Sequence, residues 1–191
     1  YSRGYKPPAV GTNPAGTLFE LLPETTDAFE LGVKYDLAGL QLSANAFYTE
    51  LANFQSQTSV FVGTALISQP LNVPQVTSKG IELNAFGEIA DGFSINAGYQ
   101  YNDITFPAGY LGDDGGNLGG TQFLNAPKHK FTLSGDYGFP ISDSLEFFVN
   151  ANLVYKSSVL LATRADPRYR YPAHEIINGG LGVRDADGGW T

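Results

Sequence analysis

The 191-residue sequence contains no cysteine and no methionine, which removes disulfides, thiolate metal sites and cysteine nucleophiles from consideration. Only 16% of its residues are charged, against the ~25% common in soluble domains, so neutral side chains must cover much of the surface. Positive charge is scarcest: 11 Lys and Arg stand against 19 Asp and Glu, giving a net charge of −8. That balance argues against a nucleic-acid partner, whose phosphates require basic surface. No apolar run approaches the ~18–20 residues of a membrane-spanning helix, and no signal-peptide pattern is present. The chain opens at Tyr1-Ser2-Arg3-Gly4-Tyr5, in strand-like sequence without a starting methionine, and so reads as a piece of a longer protein.

What the chain does have is glycine, aromatic residues and strict alternation. In Lys79–Asn102 one set of positions (Ile81, Leu83, Ala85, Gly87, then Phe93, Ile95, Ala97, Tyr99, Tyr101) carries no charge. The intervening set (Glu82, Asn84, Phe86, Glu88, then Ser94, Asn96, Gly98, Gln100, Asn102) is almost wholly polar. Side chains alternate faces along a strand, so this stretch predicts an antiparallel hairpin turning at Ala90-Asp91-Gly92, with one apolar and one wet face. Each arm is about ten residues, where strands of soluble proteins usually run ~5–6.

The same pattern recurs along the chain. Tyr1–Lys6 reads as a strand end stopped by Pro7-Pro8, followed by a loop to about Pro23. Phe29, Leu31, Val33 and Tyr35 alternate with Glu30, Lys34 and Asp36, and a turn at Leu37-Ala38-Gly39 leads into Leu40–Tyr48. A third hairpin pairs Phe131–Tyr137 with Leu145–Tyr155, and a further strand covers Ile177–Arg184. Asp185–Gly189 is expected to turn the chain into a strand beginning at Trp190-Thr191. Alternation vanishes over 53–76, 103–126 and 157–174, which are expected to be long loops. Short turns therefore fall at one end of the sheet and long loops at the other.

Alternation alone fits a soluble β-sandwich as well as a membrane barrel. Three features favour the barrel: strands of the ~9–11 residues that cross a bilayer obliquely, the segregation of turns from loops, and aromatics at the strand ends. Phe29, Tyr48, Tyr99, Tyr101, Phe131 and Tyr155 lie near the long loops, with Tyr35, Phe93, Tyr137 and Trp190 at the other end. The expected fold is all-β, an antiparallel β-meander forming part of a large transmembrane β-barrel. Residues 1–191 form one partial barrel domain of about eight strands.

An ordered series of short motifs carries a family resemblance. It comprises Ser2–Pro7, Pro23–Lys34 with its Glu-x-Gly-x-Lys, Ala46-Phe47-Tyr48 with Phe54-Gln55, Ser78–Leu83, Asn125–Phe131 and Gly188-Gly189-Trp190. In that order it resembles the C-terminal barrel region of TonB-dependent outer-membrane receptors. The resemblance implies a barrel of about twenty-two strands closed by an N-terminal plug, in the outer membrane of a Gram-negative bacterium. It implies import of a scarce nutrient, most often a ferric siderophore, driven by TonB. Lipid and lipopolysaccharide would surround it. The plug, the TonB-contacting segment and the closing strands are absent, so these residues alone are not expected to transport. A passive porin or adhesin barrel, and a soluble carbohydrate-binding sheet, remain as alternatives.

The loop Arg164-Ala165-Asp166-Pro167-Arg168-Tyr169-Arg170-Tyr171, with His174 behind it, is the candidate ligand site. Arg164, Arg168 and Arg170 beside Tyr169 and Tyr171 suit an anionic, aromatic chelate through charge and stacking, and equally suit a solvated loop pairing with lipopolysaccharide phosphates. Lys128-His129-Lys130 reads as a strand start at the membrane boundary, and Asp113-Asp114 lacks the spaced ligands of a calcium loop. Glu30, Glu82, Glu88 and Glu146 belong to the wet face, where charge is expected. No Gly-x-Ser-x-Gly elbow or phosphate-binding glycine loop occurs, so no catalytic residue, resident metal or cofactor is assigned.

Overall fold

A computed structural model describes residues 1–12, 16, 18–62 and 64–185. In chain order its strands are β1 (Ser2–Lys6), β2 (Ala9–Thr12), β3 (Leu18–Leu21), β4 (Glu24–Leu37), β5 (Leu40–Val62), β6 (Ala65–Ala90) and β7 (Phe93–Thr105). These are followed by β8 (His129–Pro140), β9 (Leu145–Lys156), β10 (Val159–Leu160), β11 (Arg170–Tyr171) and β12 (His174–Asp185). Eight of them make one antiparallel sheet in the order β1-β4-β5-β6-β7-β8-β9-β12, whose outer strands β1 and β12 are not paired with each other among the described residues.

Register aligns the alternating residues into rows across the sheet. Val33, Ala44, Leu83, Tyr99, Phe131 and Tyr155 form one such row on the apolar face. One step along, Lys34, Ser43, Asn84, Gly98, Thr132 and Val154 form a row on the other face. The apolar face is uncovered: Leu31 is 80% and Ile177 74% exposed. A soluble sandwich would bury such residues against a second layer, at roughly 1.5–3 kcal/mol for each large side chain.

The hairpin turns are short, as the sequence predicts. Leu37 pairs with Leu40 across Ala38 and Gly39, whose φ values of 47° and 89° give the twist a two-residue hairpin needs. The β6–β7 turn at Asp91-Gly92 is held by the Gly92 N–H donating to Glu88 Oε1 at 2.9 Å. Trp190-Thr191 and the turn proposed before them lie outside the described residues, apart from Asp185, which ends β12.

The expected loop at 53–76 is instead a continuation of β5 and β6, paired from Phe54↔Val73 up to Val62↔Ala65. These strands have 23 and 26 residues. At ~3.3 Å per residue, 23 residues reach about 75 Å, far more than a ~30 Å hydrocarbon layer takes up even at a steep tilt. Their upper parts, beyond the pairing with β4 and β7, form a two-stranded ribbon. Alternation stops there, with Val73 and Val76 turned into the loop-side core, while backbone pairing continues. Pairing with β7 ends at Thr77↔Thr105, which leaves Pro70 and Pro74 on a strand whose other edge has no partner from β7.

The loop expected before Pro23 likewise contains the small hairpin β2–β3. Asn72 ties it to the ribbon: its Oδ1 accepts from Leu22 N–H at 2.8 Å, and its Nδ2 donates to Leu22 O at 3.2 Å and Asn53 O at 2.7 Å.

The compact core lies at the long-loop end, away from the wide apolar face. Val73 and Val76 of the ribbon, Phe106, Leu118 and Phe123 of the 106–128 segment, and Leu160 are buried together. The Phe106 ring lies 4.7 Å from Tyr110 and 4.5 Å from Phe123, and Phe54 meets Phe123 edge-on at 5.6 Å. Three segments that read as separate loops thus share one core.

Candidate functional site

The arginine segment spans Ser157 to Ala173, between the paired residues Lys156 and His174 at the ends of β9 and β12. Its first part is stitched to the sheet and to the neighbouring segment: Ser157 N–H donates to His129 O at 2.9 Å, and Asn125 N–H to Leu160 O at 2.9 Å. Strands β10 and β11 then pair Val159 with Tyr171 and Leu160 with Arg170, closing the segment into a compact loop. Between them Asp166 caps a single 3-10 turn, Pro167–Tyr169.

The glycine-rich stretch 109–116 packs on this loop. Asp113 N–H donates to Thr163 O at 2.6 Å, and the Thr163 hydroxyl donates back to Asp113 Oδ2 at 2.6 Å. Asp114 accepts from Gly116 N–H at 3.0 Å and from Ala165 N–H at 3.1 Å. The Gly116 N–H, and then the Ala165 N–H, hold the Asp114 carboxyl below the usual carboxylate range. Glycine is required where the loops touch: a Cβ on Gly112 would stand 2.4 Å from Thr163 O. The two aspartates are structural acceptors, and among the described residues no group of three or more His, Asp or Glu is arranged to hold a metal ion.

The six predicted ligand-site residues separate into small groups. The Arg164 guanidinium lies 5.2 Å from the Tyr169 ring centre and donates to its hydroxyl at 3.3 Å. Tyr171 and His174 meet edge to face at 5.0 Å. Arg168 is engaged with Asp166, donating Nε–H at 2.9 Å and Nη2–H at 2.5 Å to its carboxylate. The Arg168 side chain, and then its backbone N–H, hold Asp166 down to about 2. Arg170 is exposed on β11. Among the described residues neither Arg164 nor Arg170 is within ion-pair distance of a carboxylate, although the Arg164 charge is felt by Asp166, and a ligand anion would compete with Asp166 for Arg168.

The Lys128-His129-Lys130 run does not form one patch. Lys128 pairs with Asp103 at 3.0 Å, and His129 sits against Tyr99 and Tyr101, with the Tyr99 hydroxyl 3.0 Å from His129 Nδ1. Lys130 belongs to the opposite, polar face through its register with Gln100 and Lys156. Three wet-face carboxylates have local partners: Glu82 accepts from Gln100 at 2.8 Å, Glu88 from Gly92, and Glu146 from Arg184. The docking of the glycine-rich stretch on the arginine loop was missed from sequence. Its only signal there is the small residues that permit close backbone approach.

Residues 1–191 match the family described as "TonB dependent receptor-like, beta-barrel". The chain is 32% identical over 169 residues to the protein named "Probable TonB-dependent siderophore receptor PiuA" of Acinetobacter baumannii, covering 82% of this chain and 21% of that protein. It is 30% identical over 95 residues to the ferrioxamine receptor of Yersinia enterocolitica, covering 50% of this chain and 13% of that protein. It thus spans about a fifth or less of these relatives' lengths. Among solved structures, the ferric yersiniabactin uptake receptor FyuA of Yersinia pestis superposes with a TM-score of 0.71 at 19% identity, over 95% of this chain and 26% of that one. The siderophore receptor PiuA of Acinetobacter baumannii gives 0.62 at 25% identity, over 96% and 27%. With the family matched along the entire chain and the same architecture found in its receptors, the chain belongs to the TonB-dependent receptors, as part of their β-barrel.

Proposed function

We propose that this chain is part of the barrel wall of a receptor in the outer membrane of a Gram-negative bacterium. The whole receptor binds a ferric siderophore or a closely related metal chelate and imports it with energy delivered through TonB. The apolar face meets lipid, the polar face lines the lumen, the Asp91-Gly92 turn faces the periplasm, and the loops meet lipopolysaccharide and the medium.

The observation that carries this reading is the folded loop assembly at one end of the sheet. A passive pore gains nothing from a dedicated core of Val73, Val76, Phe106, Leu118, Phe123 and Leu160 above its wall. A receptor gains a rigid platform that does not have to be ordered when ligand arrives. That platform presents Arg164, Arg168, Tyr169, Arg170, Tyr171 and His174, whose cations and rings suit an anionic chelate with aromatic or planar groups. The named ligands of the relatives, siderophores among them, support the same class.

The test is uptake of radio-iron chelates by cells carrying the complete receptor, with and without TonB. Receptor- and TonB-dependent uptake is expected, and uptake that persists without TonB would favour a passive porin. In the complete receptor, replacing Arg164 and Arg170 by Ala is expected to weaken chelate binding at least tenfold, and unchanged binding would remove this loop from the site.

A further inference from the structure

Lys130 and Lys156 stand directly opposite each other on β8 and β9. Lys156 is in turn opposite His174, so three nitrogen-bearing side chains fall in one row on the polar face. Directly opposed residues have Cβ atoms only ~4.5–5.5 Å apart, and like charges so placed disfavour the strand pair. Neutral or acidic neighbours would serve the wall better if wall were the only role. Among the described residues neither lysine has an ion-pair partner, whereas Lys128 is matched by Asp103 and Arg184 by Glu146.

The row continues from Lys130 through Gln100 to Glu82, which accepts from Gln100. Lys130, Gln100, Glu82, Asn84 and Thr132 line a polar groove of about 210 Å³. The Glu82 carboxylate is thus two strands from Lys130, with Gln100 of β7 between them, and already holds a hydrogen bond. The arginine loop is rooted at this row, leaving the sheet after Lys156 and returning at His174. The loop that carries Arg164, Arg168 and Arg170 thus begins and ends beside this row.

We propose that Lys130 and Lys156, flanked by His174, form an anion-binding step on the lumen wall beneath the arginine loop, selective for chelates whose metal–ligand core carries net negative charge. The step rests on the receptor reading above. It adds a specificity: a strongly anionic ferric tris-catecholate should use it, while a ferric trihydroxamate, with its neutral core, should not. The competing account is two lysines solvated independently by lumen water.

The test uses the complete receptor in detergent, with those two chelates as probes and binding followed by fluorescence quenching across a salt series. K130Q/K156Q is expected to weaken tris-catecholate binding at least tenfold and to flatten its salt dependence. Trihydroxamate binding should stay within twofold, and K130R/K156R should restore the tris-catecholate. Equal loss for both probes, or loss for neither, overturns the lysine step while the receptor reading stands, as does a wild-type receptor that takes only the trihydroxamate. A wild-type receptor that takes neither overturns the ligand class on which both rest.

Discussion

Arg184 reaches from β12 to β9 and donates two hydrogen bonds to Glu146, Nη2–H to Oε1 at 2.7 Å and Nε–H to Oε2 at 3.0 Å. Its guanidinium also lies 5.4 Å from the centre of the Phe148 ring. The pair sits on the polar face near the short turns, where water reaches both side chains. Glu146→Gln in the complete receptor is expected to lower the melting temperature slightly. The deficit should shrink in high salt, because ions already screen an exposed pair. The charge-swapped double variant E146R/R184E should recover most of it, and thermal melts at two salt concentrations check this.

Phe106 is the centre of the loop-side core, packed against both Tyr110 and Phe123. Phe106→Ala removes a buried ring and should cost about 3–5 kcal/mol, confined to the loop assembly. Hydrogen exchange should then rise in 106–128 and 157–173 while the amides of β7, β8 and β9 stay protected. Exchange rising throughout the sheet would contradict a loop core that is separable from the wall.

The Gly112 contact gives a sharper version of the same test. Gly112→Ala brings a methyl group against Thr163 O and is expected to undock the glycine-rich stretch from the arginine loop. A nitroxide at Ala173 should become more mobile in that variant, and unchanged mobility would show that the loops are not held through this contact.

The Asp166–Arg168 pair predicts a pH response. Asp166 has its pKa lowered from 3.8 to about 2, so the pair's contribution is present above the ordinary value and is lost as pH falls through about 2. The nitroxide at Ala173 should keep constant mobility from neutral pH down to about 4, then loosen as the pH falls further. In Asp166→Asn that acid transition should be weakened, with higher mobility already at neutral pH.

Legibility followed the uncovered apolar face. On the uncovered face, at Leu31, Ile81 or Leu133, large apolar residues recur without a charge between them on that face, and the period of two is visible in the sequence. Over Asn53–Val76 no uninterrupted apolar face runs: Gln55, Ser56 and Gln57 follow one another while Val73 and Val76 pack into the loop core, so a paired ribbon looks like a loop. Pro70 and Pro74 add to that appearance, although an edge without a β7 partner tolerates them. The loop core was hidden for another reason. Val73, Phe106, Leu118 and Leu160 are far apart in sequence and meet only through tertiary packing. The arginine segment was visible by composition, but not the engagement of Arg168 by Asp166 or the opposition of Lys130 to Lys156. Register across strands decides the second, and an alternating pattern in one strand does not encode it.

The most direct test of the account is accessibility along the β6–β7 hairpin. The chain has no cysteine, so single cysteines can be placed in it without background from its own residues. In the complete receptor in bilayers, spin labels at Ile81, Leu83, Phe93, Ile95 and Tyr99 should respond to a lipid-soluble relaxant. Labels at Glu82, Asn84, Asn96 and Gln100 should respond to a water-soluble one, alternating residue by residue. Equal response of the two sets to the lipid-soluble relaxant would contradict the membrane wall.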